Sequence, residues 1–152
     1  MVQAIPAGYA GVTPYLIVRD AARAIDFYKK AFGATEVMRF PAPGGKIGHP
    51  EIKIGDGIVM LADESPEMGH NGPQSLGGTP ITLLFYVPDV DARFAKALAA
   101  GGTVKHPIKD QFYGDRSGTL TDPAGHIWTI ATHTEDVTPD EMDRRMKAMM
   151  AK

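Results

Sequence analysis

The sequence contains no cysteine, which excludes disulfides, thiolate metal sites and cysteine nucleophiles. It also lacks a strong charge bias. The formal net charge is −2 at pH 7 and the pI is near 6.2, so the composition gives no reason to expect nucleic acid or an anionic membrane as a partner. No apolar run is long enough to span a bilayer, and residues 1–10 lack the basic and apolar regions of a signal peptide. We therefore expect a cytoplasmic protein.

What the sequence does contain is a repeat. Thr13–Val18, Asp20 and Gly33 recur as Thr82–Val87, Asp89 and Gly102, and each counterpart stands 69 positions further along the chain. The Asp56-Gly57 turn is matched by residues 123–125 at an offset of 68. The unit is too long, and two copies are too few, for a solenoid. The repeat indicates two half-domains related by a pseudo-twofold axis, with any functional site between them.

Hydrophobic patterning predicts the same element order, βαβββ, in each half. Asp20 and Asp89 are expected to cap the two helices, and glycines are expected to end them. The predicted strands are Val12–Val18, Thr35–Phe40, Ile47–Ile54 and Ile58–Ala62 in the first half, and Pro80–Val87, Thr103–Ile108, Ser117–Thr121 and Ile127–His133 in the second. This order predicts an α+β fold, with two pseudo-symmetric modules forming a curved mixed sheet around a cavity and a C-terminal helix added.

The predicted domain boundaries follow the repeat. One domain spans residues 5–135, with module one at 9–64, a Gly- and Pro-rich connector at 65–79 and module two at 80–135. Residues 136–152 form a helical extension that opens with a capping box at Thr138. We expect its stripe of Met142, Met146 and Met149 to dock against the same chain or a second subunit.

Two segments carry a family resemblance. Arg23–Gly33 resembles the first helix of the vicinal oxygen chelate superfamily, which includes glyoxalase I, extradiol dioxygenases and bleomycin-resistance proteins. Asp122–Trp128 resembles its hairpin before the last strand, and the likeness extends over residues 9–135. Gln111–Gly118 and Ala131–Asp136 are more similar to the PhnB-like, glyoxalase-related subgroup. Because this fold hosts isomerases, dioxygenases, epimerases and drug binders, the resemblance alone does not fix a function.

The resemblance implies four positions for metal ligands, and none holds a usual ligand. Carried onto this sequence, the positions are Thr13, Leu61, Thr82 and Thr129. Three hydroxyls and an isobutyl group suit Zn²⁺, Ni²⁺ or Fe²⁺ poorly, so we predict no metal or other cofactor. The alternative is a divalent metal (Zn, Ni, Mn or Fe) at His49 and Glu51, which share one strand face and would need a third ligand.

Strand alternation predicts what lines the cavity instead. If the threonines point inward, Tyr15, Leu84 and Tyr86 join Thr13, Leu61, Thr82 and Thr129 as candidate ligand-binding residues in a mostly apolar pocket. Tyr113 and Arg116, with Asp115, could clamp a polar ligand, or the acid and base could form a structural salt bridge. His133 and Asp115 are the candidate catalytic acid or base. The other interpretation of His133 is a strand-end residue bonded to the C-terminal segment.

Three functions remain open from the sequence. The first is a metal-free protein of the bleomycin-resistance kind that binds an aromatic or planar small molecule. The second is a metal-dependent lyase, isomerase or dioxygenase of the glyoxalase type. The third is a metal-independent enzyme using His133 or Asp115. Whether the protein is a catalyst therefore stays open, and the resemblance further implies a homodimer.

Overall fold

Each half of the chain forms one four-stranded sheet with a helix packed on it in the computed structural model, which describes residues 1–41, 43–45 and 49–152. The first half contains β1 (Tyr15–Val18), α1 (Ala21–Phe32), β2 (Thr35–Met38), β3 (Glu51–Ile54) and β4 (Gly57–Asp63). A short helix α2 (Pro73–Leu76) lies in the connector. The second half contains β5 (Thr82–Tyr86), α3 (Val90–Ala99), β6 (Thr103–Asp110), β7 (Asp115–Thr121) and β8 (Ile127–His133), and α4 (Pro139–Met150) follows. The predicted α+β fold of two βαβββ modules is confirmed.

The two sheets have the same topology. Their strand orders are β1-β4-β3-β2 and β5-β8-β7-β6, with a parallel pair at one edge of each sheet and antiparallel pairing between the remaining neighbours. Asp20 accepts a hydrogen bond from the Arg23 N–H at 3.0 Å, and Asp89 accepts one from the Ala92 N–H at 3.1 Å. The same cap therefore begins the helix of both modules, as predicted.

Several strand boundaries differ from the prediction. β1 begins at Tyr15 rather than Val12, and β2 ends at Met38 rather than Phe40. β7 begins two residues earlier than predicted because Asp115 pairs with His133 of β8. β3 begins at Glu51, whereas its predicted start at Ile47 lies outside the described residues.

The hydrophobic core joins the two modules. Tyr28 and Phe32 of α1 contact Trp128 of β8, with ring centroids 5.3 and 4.8 Å apart, and Phe32 lies 5.0 Å from Phe85 of β5. The helix of module one thus packs against the sheet of module two. Because aromatic side chains bury large apolar areas, this contact stabilises the arrangement of the modules as well as each module separately.

A buried carboxylate connects the modules at the same place. Asp122 is 4% exposed and accepts hydrogen bonds from the Tyr28 hydroxyl at 2.5 Å and the Trp128 indole N–H at 2.8 Å. The Ala124 and His126 N–H groups donate to its other oxygen at 2.9 and 3.0 Å. Burial, together with the charge of Asp122, raises the pKa of Tyr28 well above its ordinary 10.0, so the phenol keeps the proton that it donates.

Helix α4 is attached to module two by an arginine rather than by its methionines. Arg145 donates to Glu135 at 2.7 and 3.0 Å, to Glu141 at 2.9 Å and to the Phe112 carbonyl at 3.2 Å. Met142 is half-buried, whereas Met146 and Met149 of the predicted stripe remain exposed to water. No helix in the described ranges is long and apolar enough to cross a membrane.

We predict that Tyr28→Phe lowers the free energy of unfolding by about 1–3 kcal/mol, because Asp122 would stay buried with one donor fewer. Urea denaturation measures the change. Tyr113→Phe is the matched control, since Tyr113 is exposed and donates no hydrogen bond within the described part of the chain; its effect is expected to stay within about 0.5 kcal/mol. An unchanged denaturation midpoint for Tyr28→Phe would contradict the role given to Asp122.

Candidate functional site

A cavity of about 490 Å³ lies over the open face of the second sheet, the face that does not carry α3. We call it the β5–β8 cavity. Its lining residues are Leu84, His106, Pro107, Lys109, Gln111, Tyr113, Ser117, Gly118, Thr119 and Thr129. The volume falls within the range of small-molecule sites, and the lining combines apolar surface with several polar groups.

Strand register explains the floor of this cavity. Thr129 of β8 pairs with Leu84 of β5 on one side and with Thr119 of β7 on the other, so the three side chains share one row on the open face. The hydroxyls of Thr119 and Thr129 are hydrogen-bonded to each other at 2.7 Å. Because alternate residues face opposite sides of a sheet, the neighbouring Trp128 and Leu120 lie in the core.

Bulges in β6 bring a histidine and a lysine side chain to the same face. His106 pairs with Thr119 and Lys109 pairs with Ser117, so three steps along β6 oppose two along β7. In a regular strand, residues three apart would point to opposite faces, but the irregular register directs both side chains to the cavity. Pro107 lies between them, which an edge strand such as β6 tolerates because no further strand needs its missing N–H.

The loop between β6 and β7 forms the rim. The Gln111 side-chain N–H donates to the Ser117 hydroxyl at 3.0 Å, and Tyr113 stands half-exposed at the opening. Gly114 has a φ of +101°, and a Cβ there would lie 2.1 Å from the Glu135 carbonyl oxygen. Only glycine therefore lets this loop pack against the segment after β8 and hold Tyr113 over the cavity.

Beside the cavity, Tyr86, Asp115 and His133 form a hydrogen-bonded chain. The Tyr86 hydroxyl donates to the buried Asp115 at 2.7 Å, and His133 Nδ1 lies 2.8 Å from the other Asp115 oxygen. His133 Nε2 lies 2.8 Å from Asp136. Hydrogen bonds to Asp115 and then Asp136 raise the pKa of His133 above 6.5. Burial acts to raise the pKa of Asp115, but the bonds from Tyr86 and His133 outweigh it and lower that pKa.

This arrangement favours a structural role for His133. A protonated imidazole donates from both nitrogens, and here each nitrogen faces a carboxylate. A general base needs a free lone pair, which such an imidazolium lacks. The contact with Asp136 in the C-terminal segment is the one that the second interpretation expects, and a catalytic role for His133 stays a prediction.

Arg116 lies on the helix side of the sheet and does not reach the cavity. Its guanidinium binds Asp91 of α3 at 2.8 and 2.9 Å and Asp110 at 3.2 Å. These bonds, from Asp91 first, raise the pKa of Arg116 above its ordinary value. Adjacent residues of a strand point to opposite faces, so Asp115 and Arg116 form neither the expected clamp nor a salt bridge with each other.

Leu61 also differs from its predicted position. It is fully buried in the core, and β4 pairs Met60 with Tyr15 in the way that β8 pairs Thr129 with Leu84. The counterpart of Thr129 is therefore Met60. The one-residue error arises from the hairpins: residues 55–56 join β3 to β4, whereas residues 122–126 join β7 to β8. A single-residue slip moves a side chain to the other face of a sheet.

The remaining candidates lie outside the β5–β8 cavity. Tyr15 is in one row with Met60 and Glu51 on module one, where Tyr15 is hydrogen-bonded to His49, and Tyr9 to Glu51. Thr13 lines a second crevice of about 440 Å³ between residues 8–14, β4 and β5; Trp128 also lines this crevice, and Leu84 lines both it and the β5–β8 cavity. Thr82 is exposed at the start of β5, beyond the cavity lining.

The four positions that the family resemblance implies for a metal, with Met60 taking the place of Leu61, do not suit one here. Thr13, Met60, Thr82 and Thr129 offer hydroxyls and a thioether in place of imidazole and carboxylate. Among residues 1–41, 43–45 and 49–152, no group of three or more His, Asp or Glu could hold a metal ion. His49 and Glu51 each bond to a tyrosine, and the described residues bring no third ligand to them.

Sequence reasoning missed seven of the lining residues: His106, Pro107, Lys109, Gln111, Ser117, Gly118 and Thr119. One signal was available, because Asp115, Ser117, Thr119 and Thr121 alternate as polar residues along β7 and so predict a polar open face. The bulges that direct His106 and Lys109 to the cavity have no such signal beyond Pro107.

We predict that Asp115→Asn lowers the pKa of His133 toward its ordinary 6.5, because Asp115 is the larger of the two influences that raise it. NMR titration of the imidazole ring protons measures the change. Asp110→Asn is the control, since Asp110 binds Arg116 on the other side of the sheet, and it should leave the titration unchanged. A His133 pKa that does not respond to Asp115→Asn would refute the assignment.

The same pKa shifts set the pH dependence of stability. The pKa of His133 is raised on folding. Its contribution to the free energy of unfolding is therefore fully present below about pH 6.5 and is lost as the pH rises through the raised pKa. The pKa of Asp115 is lowered on folding. Its contribution to the free energy of unfolding is therefore present above pH 3.8 and is lost as the pH falls through the lowered pKa.

Comparison with known proteins finds relatives that match most of the chain. An uncharacterized protein of Mycobacterium bovis is 46% identical over 140 residues, which cover 90% of this chain and 92% of that protein. TioX from Micromonospora sp. ML1 has a similar structure, with a TM-score of 0.66 and 30% identity over 82% of this chain and 98% of its own. A Bacillus cereus structure is described as a putative 3-demethylubiquinone-9 3-methyltransferase, PhnB protein. It is 18% identical, with a TM-score of 0.63, and the match covers 80% of this chain and 98% of that protein. At this identity the likeness shows the fold alone.

The family model described as the Glyoxalase/Bleomycin resistance protein/Dioxygenase superfamily matches residues 9–130. This range contains both βαβββ modules up to β8. The chain belongs to that superfamily.

Proposed function

We propose that this protein binds a small organic molecule in the β5–β8 cavity and does so without a metal ion. The observation that carries the proposal is the cavity itself. Leu84 and Pro107 offer apolar surface there, and the Thr119 and Thr129 hydroxyls lie on its floor. A few polar groups set into an apolar concave surface are typical of sites that hold and orient a small ligand.

Binding is favoured over metal-dependent catalysis by the chemistry of the available donors. A lyase, isomerase or dioxygenase of the glyoxalase type requires a metal held by imidazole and carboxylate groups. His49 and Glu51, the fallback pair, are engaged with Tyr15 and Tyr9 instead. Catalysis by His133 is disfavoured because carboxylates face both of its ring nitrogens.

Within the superfamily, we assign the chain to the PhnB-like, glyoxalase-related subgroup and to the bleomycin-resistance kind of activity, in which a ligand is held rather than transformed. The support for the subgroup is the pair of runs Gln111–Gly118 and Ala131–Asp136. A cytoplasmic location stays a prediction from the sequence.

The protein is further proposed to act as a homodimer. Tyr15, Leu84 and Tyr86 are 41%, 53% and 57% exposed on the open faces of the two sheets. Met146 and Met149 are exposed on α4, which is fixed to the same module by Arg145. A second copy would cover apolar surface that the chain itself leaves in contact with water.

We predict that ligand binding does not depend on metal. The protein, purified without a His-tag and treated with EDTA, should still show ¹H–¹⁵N shifts at Thr119 and Thr129 when titrated with a panel of small arenes: benzoate, benzamide, phenol and indole. Thr129→Tyr fills the cavity floor and should abolish these shifts. Thr35→Tyr, on exposed β2, should retain them. Stoichiometric Zn or Ni in the untreated protein, together with binding lost on chelation and restored by that metal, would overturn the proposal.

We expect sedimentation equilibrium at micromolar concentration to give twice the 16.3 kDa mass of the chain. Tyr15→Lys, on an open sheet face, should shift the equilibrium toward monomer because it places a charge in the interface. Leu76→Lys, at a similarly exposed apolar residue of α2, should not. A mass of 16.3 kDa for the unmodified protein would contradict the dimer.

A further inference from the structure

We infer that the ligand of the β5–β8 cavity is a small arene-bearing anion, such as an aryl carboxylate or aryl phosphonate, whose charged group binds Lys109 and His106. This inference rests on the proposed function, because it gives a chemical class to the molecule held in that cavity.

The charge of the lining is the first argument. Among the described residues, the cavity is lined by a lysine and a histidine but by no carboxylate. Lys109 has no Asp or Glu within salt-bridge distance in the described part of the chain. The neighbouring Asp110 binds Arg116 on the other side of the sheet, and Asp115 is already bonded to Tyr86 and His133. The protein therefore leaves one positive charge at the cavity without a counter-charge.

The backbone supplies the second argument. The irregular register of β6 places His106 and Lys109 on one face, although they are three residues apart. A regular strand would have sent one of them to the helix side, where Ile108 packs against the core. Bulges beside binding sites commonly redirect a side chain in this way, and here the redirected pair converges on the same space.

Neutral groups complete the fit for an anion. Thr119, Thr129 and Gln111 line the cavity. Whichever threonine hydroxyl accepts in their mutual hydrogen bond, and the Gln111 N–H not donated to Ser117, can donate to a carboxylate or phosphonate oxygen. Hydrogen bonds to an ionised acceptor are roughly twice as strong as neutral ones. Leu84 and Tyr113 provide exposed apolar surface on which an aromatic ring can lie. The lining thus combines groups that suit a charge with apolar surface that suits a planar body.

Calorimetric titration with benzoate, phenylphosphonate and benzamide tests the inference. The two anions should bind about tenfold more tightly than the neutral amide, because a charge-assisted bond to Lys109 adds on the order of 1.4 kcal/mol. Lys109→Gln should remove about that tenfold advantage without changing benzamide binding, and Lys109→Arg should retain most of it. Raising the salt concentration should weaken only the anions. Lys96→Gln, at an exposed lysine on α3, is the matched control and should change nothing.

The outcomes separate this inference from the proposed function. If benzamide binds as tightly as benzoate and Lys109→Gln alters neither, the cavity binds arenes but not anions, and only the inference fails. If Lys96→Gln weakens the anions as much as Lys109→Gln does, the attraction is a general surface effect, and the inference again fails. If none of the three probes binds but phenol or indole still shifts Thr119 and Thr129, only the inference fails; if no arene of either panel shifts them, both proposals fail. Unchanged melting temperatures of the variants exclude unfolding as the cause of any loss.

Discussion

The structure depends on one buried carboxylate. Asp122 is almost fully enclosed, and burying a charge is unfavourable unless hydrogen bonds replace the lost water. Four donors do so here, and one of them, Tyr28, comes from the other module. The carboxylate therefore favours only the arrangement in which α1 packs against β8. By fixing Trp128 on the core side, it also sets Thr129, the next residue, on the open face that carries the cavity.

The architecture could be predicted from the sequence because the residues that recur in the repeat have well-defined structural roles. Asp20 and Asp89 cap equivalent helices, and the strands between them pair in the same order in both modules. The metal-ligand positions could not be carried over with equal accuracy. The β3–β4 and β7–β8 hairpins differ in length, so their glycines align at an offset of 68 residues whereas the paired strands align at 69. The offset of 68 led us to expect Leu61 at the position that Met60 occupies.

The cavity was only partly predictable for a similar reason. The alternation of side-chain direction along β5 and β8 correctly predicts that Leu84 and Thr129 lie on the open face, because both strands are regular. It fails for β6, whose bulges bring His106 and Lys109 together. Arg116 looked like part of a clamp in the sequence, but its neighbour Asp115 points to the opposite face. Register and bulges depend on tertiary pairing, which no local pattern of residues reports.

The central claim is that a ligand occupies the β5–β8 cavity with its charge at Lys109. A crystal structure of the protein grown with benzoate tests it most directly. We expect density for the ring against Leu84 and Tyr113, with a carboxylate oxygen about 2.8 Å from Lys109 Nζ. Benzoate bound instead in the crevice beside Trp128, with the β5–β8 cavity free of ligand, would contradict it.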